Sequence, residues 1–433
     1  MFLHADKIIN NGKTDDLKRC RKDILTILSV ALESVDPYRV TYEYLSKSDF
    51  SNYREIYMLA FGKASVGMAQ AVCDILPLKE GVVITNEKKK VKSRNVNTFV
   101  GDHPIPTTRN VIATEKAISM VRRCRSEDLL LVLISGGGSA LFCKPRVPLK
   151  DMQALTDLLL KCGADITELN TIRKHLSFVK GGQLAKLANC KILSCIISDV
   201  VGDPLEFIAS GPTVPDTTTF EDAKDILIKY DLWDKVPASV REIVEKGLKG
   251  EIPETPKPGD EVFNKVDNVV IANNLLACKS AEKKAKELGY RAKIFSTTIT
   301  GEAREVGPFL VRKAMDELKS GEIMIGGGET TVVVKGDGKG GRNQEMVLSA
   351  VEILRETELL FASLATDGID GNSDAAGAIA DGYTMERSFL KRMNYKDYLD
   401  NNDSYHFFKN LNDLLITGPT GTNVMDVQLV VHS

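Results

Sequence analysis

The chain has 433 residues, enough for two or three domains that each bury a core without covalent staples. Hydrophobic residues make up 43% and charged residues 27%, which excludes a disordered, collagen-like or membrane-dominated chain. With 57 Lys plus Arg against 59 Asp plus Glu, the net charge of -2 provides no positive field for nucleic acid or anionic lipid, so neither is an expected partner; small molecules are.

In chain order, a helix is predicted over Asp15 to Val35, and short apolar runs then alternate with helix-period segments in the rhythm of βαβ units. Strands are expected at Ile56 to Phe61, Gly81 to Thr85, Asn97 to Val100, Leu129 to Ser135 and Ile192 to Ser198. Helices are expected over Val66 to Leu76, Val111 to Arg123, Leu149 to Cys162 and, as one long element, Phe220 to Leu248. The stretch Ile252 to Gly259 is proline-rich and reads as a linker, which places a domain boundary near residue 260 and gives domains of 1–260 and 261–433. Beyond it the alternation resumes with Val269 to Ala272, Leu275 to Leu288, Ala292 to Phe295, Glu302 to Leu318 and Ile323 to Ile325.

The eight cysteines contain no C-x-x-C pair, and the five histidines form no zinc pattern, so reduced thiols and no resident zinc are expected. The first residues lack the apolar stretch of a secretory signal, and a cytoplasmic protein is expected.

Several motifs sit where strands give way to helices, the position that faces the ligand crevice of an open α/β sheet. In Phe61-Gly62-Lys63-Ala64-Ser65, the lysine can offer a compact cation to a phosphate or carboxylate, or can be an ordinary surface lysine. Ser135-Gly136-Gly137-Gly138-Ser139 follows a strongly apolar strand and exposes backbone N–H groups and two hydroxyls, a nest for anionic oxygens. It matches neither a phosphate-binding loop ending in Gly-Lys-Ser/Thr nor the G-x-G-x-x-G dinucleotide fingerprint. Asn170 to Ser177 carries Arg173, Lys174 and His175 and is followed by Lys180, which together either bind an anion or coat a helix. Asp199, just after a strand, stands where a magnesium ligand would, or caps the next turn.

In the C-terminal half, Gly326-Gly327-Gly328-Glu329-Thr330 and Lys335 to Gly341 are so glycine-dense that a ligand-facing or hairpin loop is expected. Arg342 follows, at the start of a helix, where its guanidinium could meet bound phosphates. Asp367, Asp370 and Asp374 crowd one turn and could hold a hard divalent ion.

Taken together these blocks resemble the glycerate kinase type II family, whose second half is called the MOFRL domain. The resemblance rests on Ser135 to Leu141, Asn170 to Ser177, Lys180-Gly-Gly182, Ser210-Gly-Pro-Thr213, Gly327 to Thr331, Gly340 to Glu345, Thr366 to Gly371 with Asp374 to Gly377, and Thr417 to Asn423, in order along the chain. It implies an α/β protein of two α/β domains. The N-terminal one would be Rossmann-like with a mostly parallel sheet, the C-terminal one smaller and MOFRL-type, with the active site in the cleft between them. It implies ATP-dependent phosphorylation of D-glycerate, by family resemblance at the 2-hydroxyl, with Mg2+ or another divalent cation. Lys63 and Arg342 match the family's catalytic cations. Ser135 to Ser139, Asn170, Arg173, Lys174, Gly328, Glu329, Thr330 and Asn343 are the expected substrate or phosphate contacts, and Asp199 and Asp367 the expected metal ligands. The alternatives are phosphorylation of the 3-hydroxyl, an NAD(P)-dependent hydroxypyruvate reductase, disfavoured by the missing fingerprint, and a non-catalytic nucleotide sensor. Self-association into a homodimer is left open.

Overall fold

The computed structural model describes residues 2–433, and two compact units emerge from it, Pro37–Ile271 and a second one made of Ala272–Ser433 with the N-terminal residues up to Asp36. Helix α1 (Asp15–Ser34) begins at Thr14, whose hydroxyl accepts from the Leu17 N–H, and belongs to the second unit.

The larger unit is built on strands β1 (Ile56–Phe61), β2 (Glu80–Thr85), β3 (Val96–Val100), β4 (Leu129–Ile134), β5 (Lys191–Ile197) and β6 (Val266–Ala272). Their order in the sheet is β3-β2-β1-β4-β5-β6, and β1 to β5 pair in parallel. β1 and β4 are buried along their whole length, which is why both read as unbroken apolar runs rather than alternating ones. The order reverses between β1 and β4, so the crevice at their carboxyl ends is the topological switch point, where ligands bind in such sheets. Helices α2 (Ser65–Ile75), α3 (Thr108–Val121), α4 (Gly138–Leu141), α5 (Leu149–Lys161) and α6 (Ile166–His175) lie between the strands in sequence.

The expected single helix over Phe220 to Leu248 is two, α7 (Phe220–Lys229) and α8 (Ala238–Leu248). Pro237 caps the second and Asp231 sits in the left-handed region at φ 54°, so the chain turns between them. The proline-rich stretch is held inside the larger unit. Asp216 donates its N–H to the Pro256 carbonyl at 2.9 Å and accepts from the Thr255 hydroxyl at 2.9 Å, while Glu254 meets His175 at 3.1 Å.

The smaller unit carries β7 (Arg291–Ile299), β8 (Glu322–Gly328), β9 (Leu359–Ala365), β10 (Gly377–Asp381), β11 (Leu414–Leu415) and β12 (Asp426–His432) in the order β11-β10-β9-β12-β8-β7. Helices α9 (Asn274–Glu287), α10 (Ala303–Glu317) and α11 (Arg342–Leu354) pack with it. β7 and β8 pair in parallel, and the other neighbours in this sheet pair antiparallel. Gly326–Gly328, expected as loop, are the buried end of β8 and pair with Asp426–Gln428 of β12. A Cβ at Gly327 would overlap the Asn274 side chain, and one at Gly328 the Ile299 backbone, so close packing rather than flexibility demands these glycines.

Helix α1 joins this unit through a sealed charge network. Arg21, wholly buried, meets Asp381 at 2.6 Å and Asp413 at 2.7 Å, and Arg387 meets the same two carboxylates at 3.0 and 2.9 Å. Among the described residues no helix is long and apolar enough to cross a membrane.

Candidate active site

At the switch point the loops after β1 and β4 interlock. The Lys63 N–H donates to the Gly136 carbonyl at 2.8 Å, and the Ala64 N–H donates to the Ser135 hydroxyl at 3.1 Å. Gly62 (φ 119°) lets the two backbones touch, because a Cβ there would overlap Ser135. Gly137 (φ 79°) turns the chain into α4. Among the described residues the N–H groups of Gly136 and Gly137 donate to no protein acceptor, so the expected nest has free donors.

Asp199 closes in from the end of β5; a Cβ at Gly136 would overlap its carboxylate. Burial pushes the Asp199 carboxyl up, and the Lys63 charge works in the opposite direction. Neither Lys63 nor Asp199 forms a salt bridge among the described residues. His103, which sequence reasoning missed, lies after β3 with its ring against Gly137, and burial and then Lys63 push its imidazole down, towards the neutral form. The strand-end turn Gly101-Asp-His-Pro104 was the available signal.

Ser139 and Ser210 share a hydrogen bond of 2.8 Å, and the Ser210 hydroxyl donates to Asn170 Oδ1 at 2.8 Å. Asn170 is buried with its Nδ2 unpartnered. Ala209 and Ser210 both hold positive φ, 52° and 60°, a strained pair of the kind that gathers at functional sites at a cost of about 1–3 kcal/mol each. Arg173 lines the same cavity as Gly137, Gly138, Ser139 and Asp199. Lys174 does not: it is buried between Asp216 at 3.2 Å and Glu206 at 3.3 Å. His175 is buried as well, bonded to the Thr171 carbonyl and Glu254, an internal support rather than a ligand contact. Lys180 reaches the cavity and donates to the carbonyls of Ser139 at 2.6 Å and Phe142 at 3.2 Å.

In the smaller unit, Arg342 opens α11 as expected. Its guanidinium takes the buried Asp426 with both arms, at 2.6 and 2.9 Å, and Glu329 at 2.8 Å. Although burial opposes the charge, these carboxylates raise the Arg342 pKa further, so it is a fixed cation. Asn343 is internal, bonded to Asp370 and Ser363, and Thr330 is buried with its hydroxyl unpartnered. Gly328 ends β8.

The three acidic residues of the 367–374 turn have separate tasks. Asp370, pushed up to about 6 by burial, accepts from the backbone and side-chain N–H groups of Asn343 and Gln344 and so caps α11 from a distance. Asp374 pairs with Lys339, and Asp367 accepts from the Ile369 N–H at 3.0 Å. Among the described residues no three His, Cys, Asp or Glu side chains gather as a metal site. A magnesium ion that arrives on nucleotide phosphates needs only one or two protein carboxylates, and Asp199, half-buried and without a salt bridge among the described residues, suits that requirement.

Residues 23–245 match the family described as Domain of unknown function (DUF4147), and residues 322–426 match the MOFRL family. Over 425 residues the chain is 42% identical to the glycerate 2-kinase of Pyrococcus horikoshii, covering 94% of this chain and 96% of that one. The chain belongs to the MOFRL-containing glycerate kinase family. Within this family it is also 39% identical to the D-glycerate 2-kinase of Thermotoga maritima, over 95% of this chain and 98% of that one. The crystal structure of the Thermotoga maritima glycerate kinase superimposes with a TM-score of 0.89 at 38% identity, over 96% of this chain and 100% of that chain. Lys63 falls inside the first matched region and Arg342 inside the second.

Proposed function

We propose that the protein is a glycerate 2-kinase, transferring the γ-phosphoryl group of ATP to the 2-hydroxyl of D-glycerate. The observation that carries this reading is the likeness to two glycerate 2-kinases over nearly the whole chain. The loops at the switch point support it, since among the described residues Lys63 forms no salt bridge and the Gly136 and Gly137 N–H groups have no protein acceptor.

In the transfer the acceptor oxygen forms a bond to the γ-phosphorus as the bond to the β,γ-bridging oxygen breaks, and ADP leaves with that electron pair. The alcohol proton departs late, so a strong base is not required in a loose transition state. Lys63 holds phosphate oxygens as charge moves onto them, and the Gly136 and Gly137 N–H groups orient an anionic group beside it. Arg342, locked by Asp426 and Glu329, presents a cation that needs no reorganisation to meet a phosphate group. Asp199 would hold a divalent ion, which when bound neutralises phosphate charge, and Asp367 is the second candidate carboxylate. Asn170 and the serines of the 135–139 loop order the larger unit's crevice, and Glu329 and Gly328 the surroundings of Arg342.

The reading is tested by incubating the protein with D-glycerate, ATP and Mg2+, following ADP and locating the phosphate by 31P NMR. Glycerate-dependent ADP with the phosphate on oxygen 2 is expected. Product carrying it on oxygen 3 would correct the regiochemistry, and NADH oxidation by hydroxypyruvate without any ADP would replace the kinase by a reductase.

A further inference from the structure

The cavity beside the 135–139 loop has a volume of about 440 Å³, inside the ordinary range for nucleotide- or drug-sized ligands and far more than a three-carbon hydroxy acid fills. Two kinds of surface line it. One is cationic: Lys180 is 3% exposed, and Arg173 is half-buried with a guanidinium that makes no hydrogen bond or ion pair among the described residues. Among the described residues no carboxylate forms an ion pair with either, so no opposite charge offsets the burial of these cations, a situation that an anionic ligand resolves. The other surface is aliphatic. Ile105, Leu160 and Ile166 line the cavity while remaining 63%, 60% and 56% exposed, and Met152 and Phe207 add apolar wall.

A small polyhydroxy acid has no use for that aliphatic surface, whereas a purine ring does. Gly137, Gly138 and Asp199 border the same space, which brings it to the switch point. We infer that this cavity is the nucleotide site, with the base against Ile105, Met152, Leu160 and Ile166 and phosphate oxygens on Arg173 and Lys180, and that the acceptor acid binds outside it. This rests on the kinase reading. Burial and then repulsion by Arg173 push Lys180 down to about 8, with the nearby Cys143 pulling the other way, as expected of a lysine that waits for an anion.

The test is calorimetric titration of ADP with Mg2+, without glycerate, into the wild type and the variants Arg173→Ala, Leu160→Asp and Ile166→Asp. Leu160 and Ile166 are exposed, so their substitution spares the core, and unchanged melting temperatures verify this. Each variant should weaken ADP about tenfold or more, the scale of one lost charge-assisted contact. In turnover assays the KM for ATP should rise with that for D-glycerate unchanged. Wild-type affinity for ADP in all three variants, or a raised KM for glycerate alone, would overturn the assignment. A wild type that binds no ADP would instead sink the kinase reading, and ADP binding lost in the variants without any glycerate turnover would leave this assignment standing and remove the acceptor.

Discussion

Buried cations are treated in opposite ways in the two units. In the smaller one Arg21 is sealed from solvent, yet two carboxylates that are equally sealed hold it, and Arg387 braces both. In the larger one Lys180 is almost as deeply buried and its amine donates to two carbonyl oxygens, and among the described residues neither it nor Arg173 forms an ion pair. Six residues from Lys180, Lys174 follows the first pattern, with Asp216 and Glu206. Paired charges fix architecture, because removing one partner strands the other. Unpaired charges weaken the free protein and are repaid only when an anion arrives.

The sharpest way to break this comparison is Arg21→Met, which leaves Asp381 and Asp413 short of their main partner. A loss of roughly 3–5 kcal/mol is expected from denaturant unfolding, and a loss within experimental error would show that the network is not structural. Gly136→Ala should act on the other side of the comparison. Its Cβ would displace the Asp199 carboxylate, so turnover should fall about 10²-fold with little change in melting temperature. The smallest effect is a pH profile. Lys180 is charged below its depressed pKa of about 8, so ADP affinity should be full below that pH and fall up to about tenfold per unit as pH rises through it. Arg173 and Cys143 are the other titratable groups facing that amine, and of these only the thiol changes charge in the alkaline range. For the free protein the sign is reversed: stability should increase between about pH 8 and 10.5, where the unfolded chain still binds the proton that the folded lysine has lost. An ADP affinity that is flat from about pH 7 to 9 would contradict the role given to Lys180.

The parallel sheet and its switch point were legible because β1 and β4 are unbroken apolar runs and β5 a mostly apolar one, ending in Gly62-Lys63, Ser135-Gly136 and Ser198-Asp199. What stayed hidden depends on contacts distant in sequence. Lys174 and Lys180 are alike in the sequence, and only the fold supplies carboxylates to one of them. Gly326–Gly328 read as a loop by composition, whereas Asn274 and Ile299 press against them and make a strand of them. β10 escaped notice because Gly377, Ala378 and Ala380 give little strand signal; pairing with β9 and β11 makes it. Helix α1 looked like part of the N-terminal domain because nothing near Arg21 announces Asp381 and Asp413. The aliphatic wall of the cavity, shared by α5, α6 and the segment before α3, has no local pattern at all.

The role of Lys63 is tested most directly by the turnover of Lys63→Ala with ATP and D-glycerate. Because Lys63 makes no salt bridge among the described residues, the variant should melt with the wild type while kcat falls about 10²- to 10³-fold, the scale of one lost charge-stabilising group. Near-normal kcat in a folded Lys63→Ala protein would contradict the assignment of this lysine to the transferred phosphoryl group.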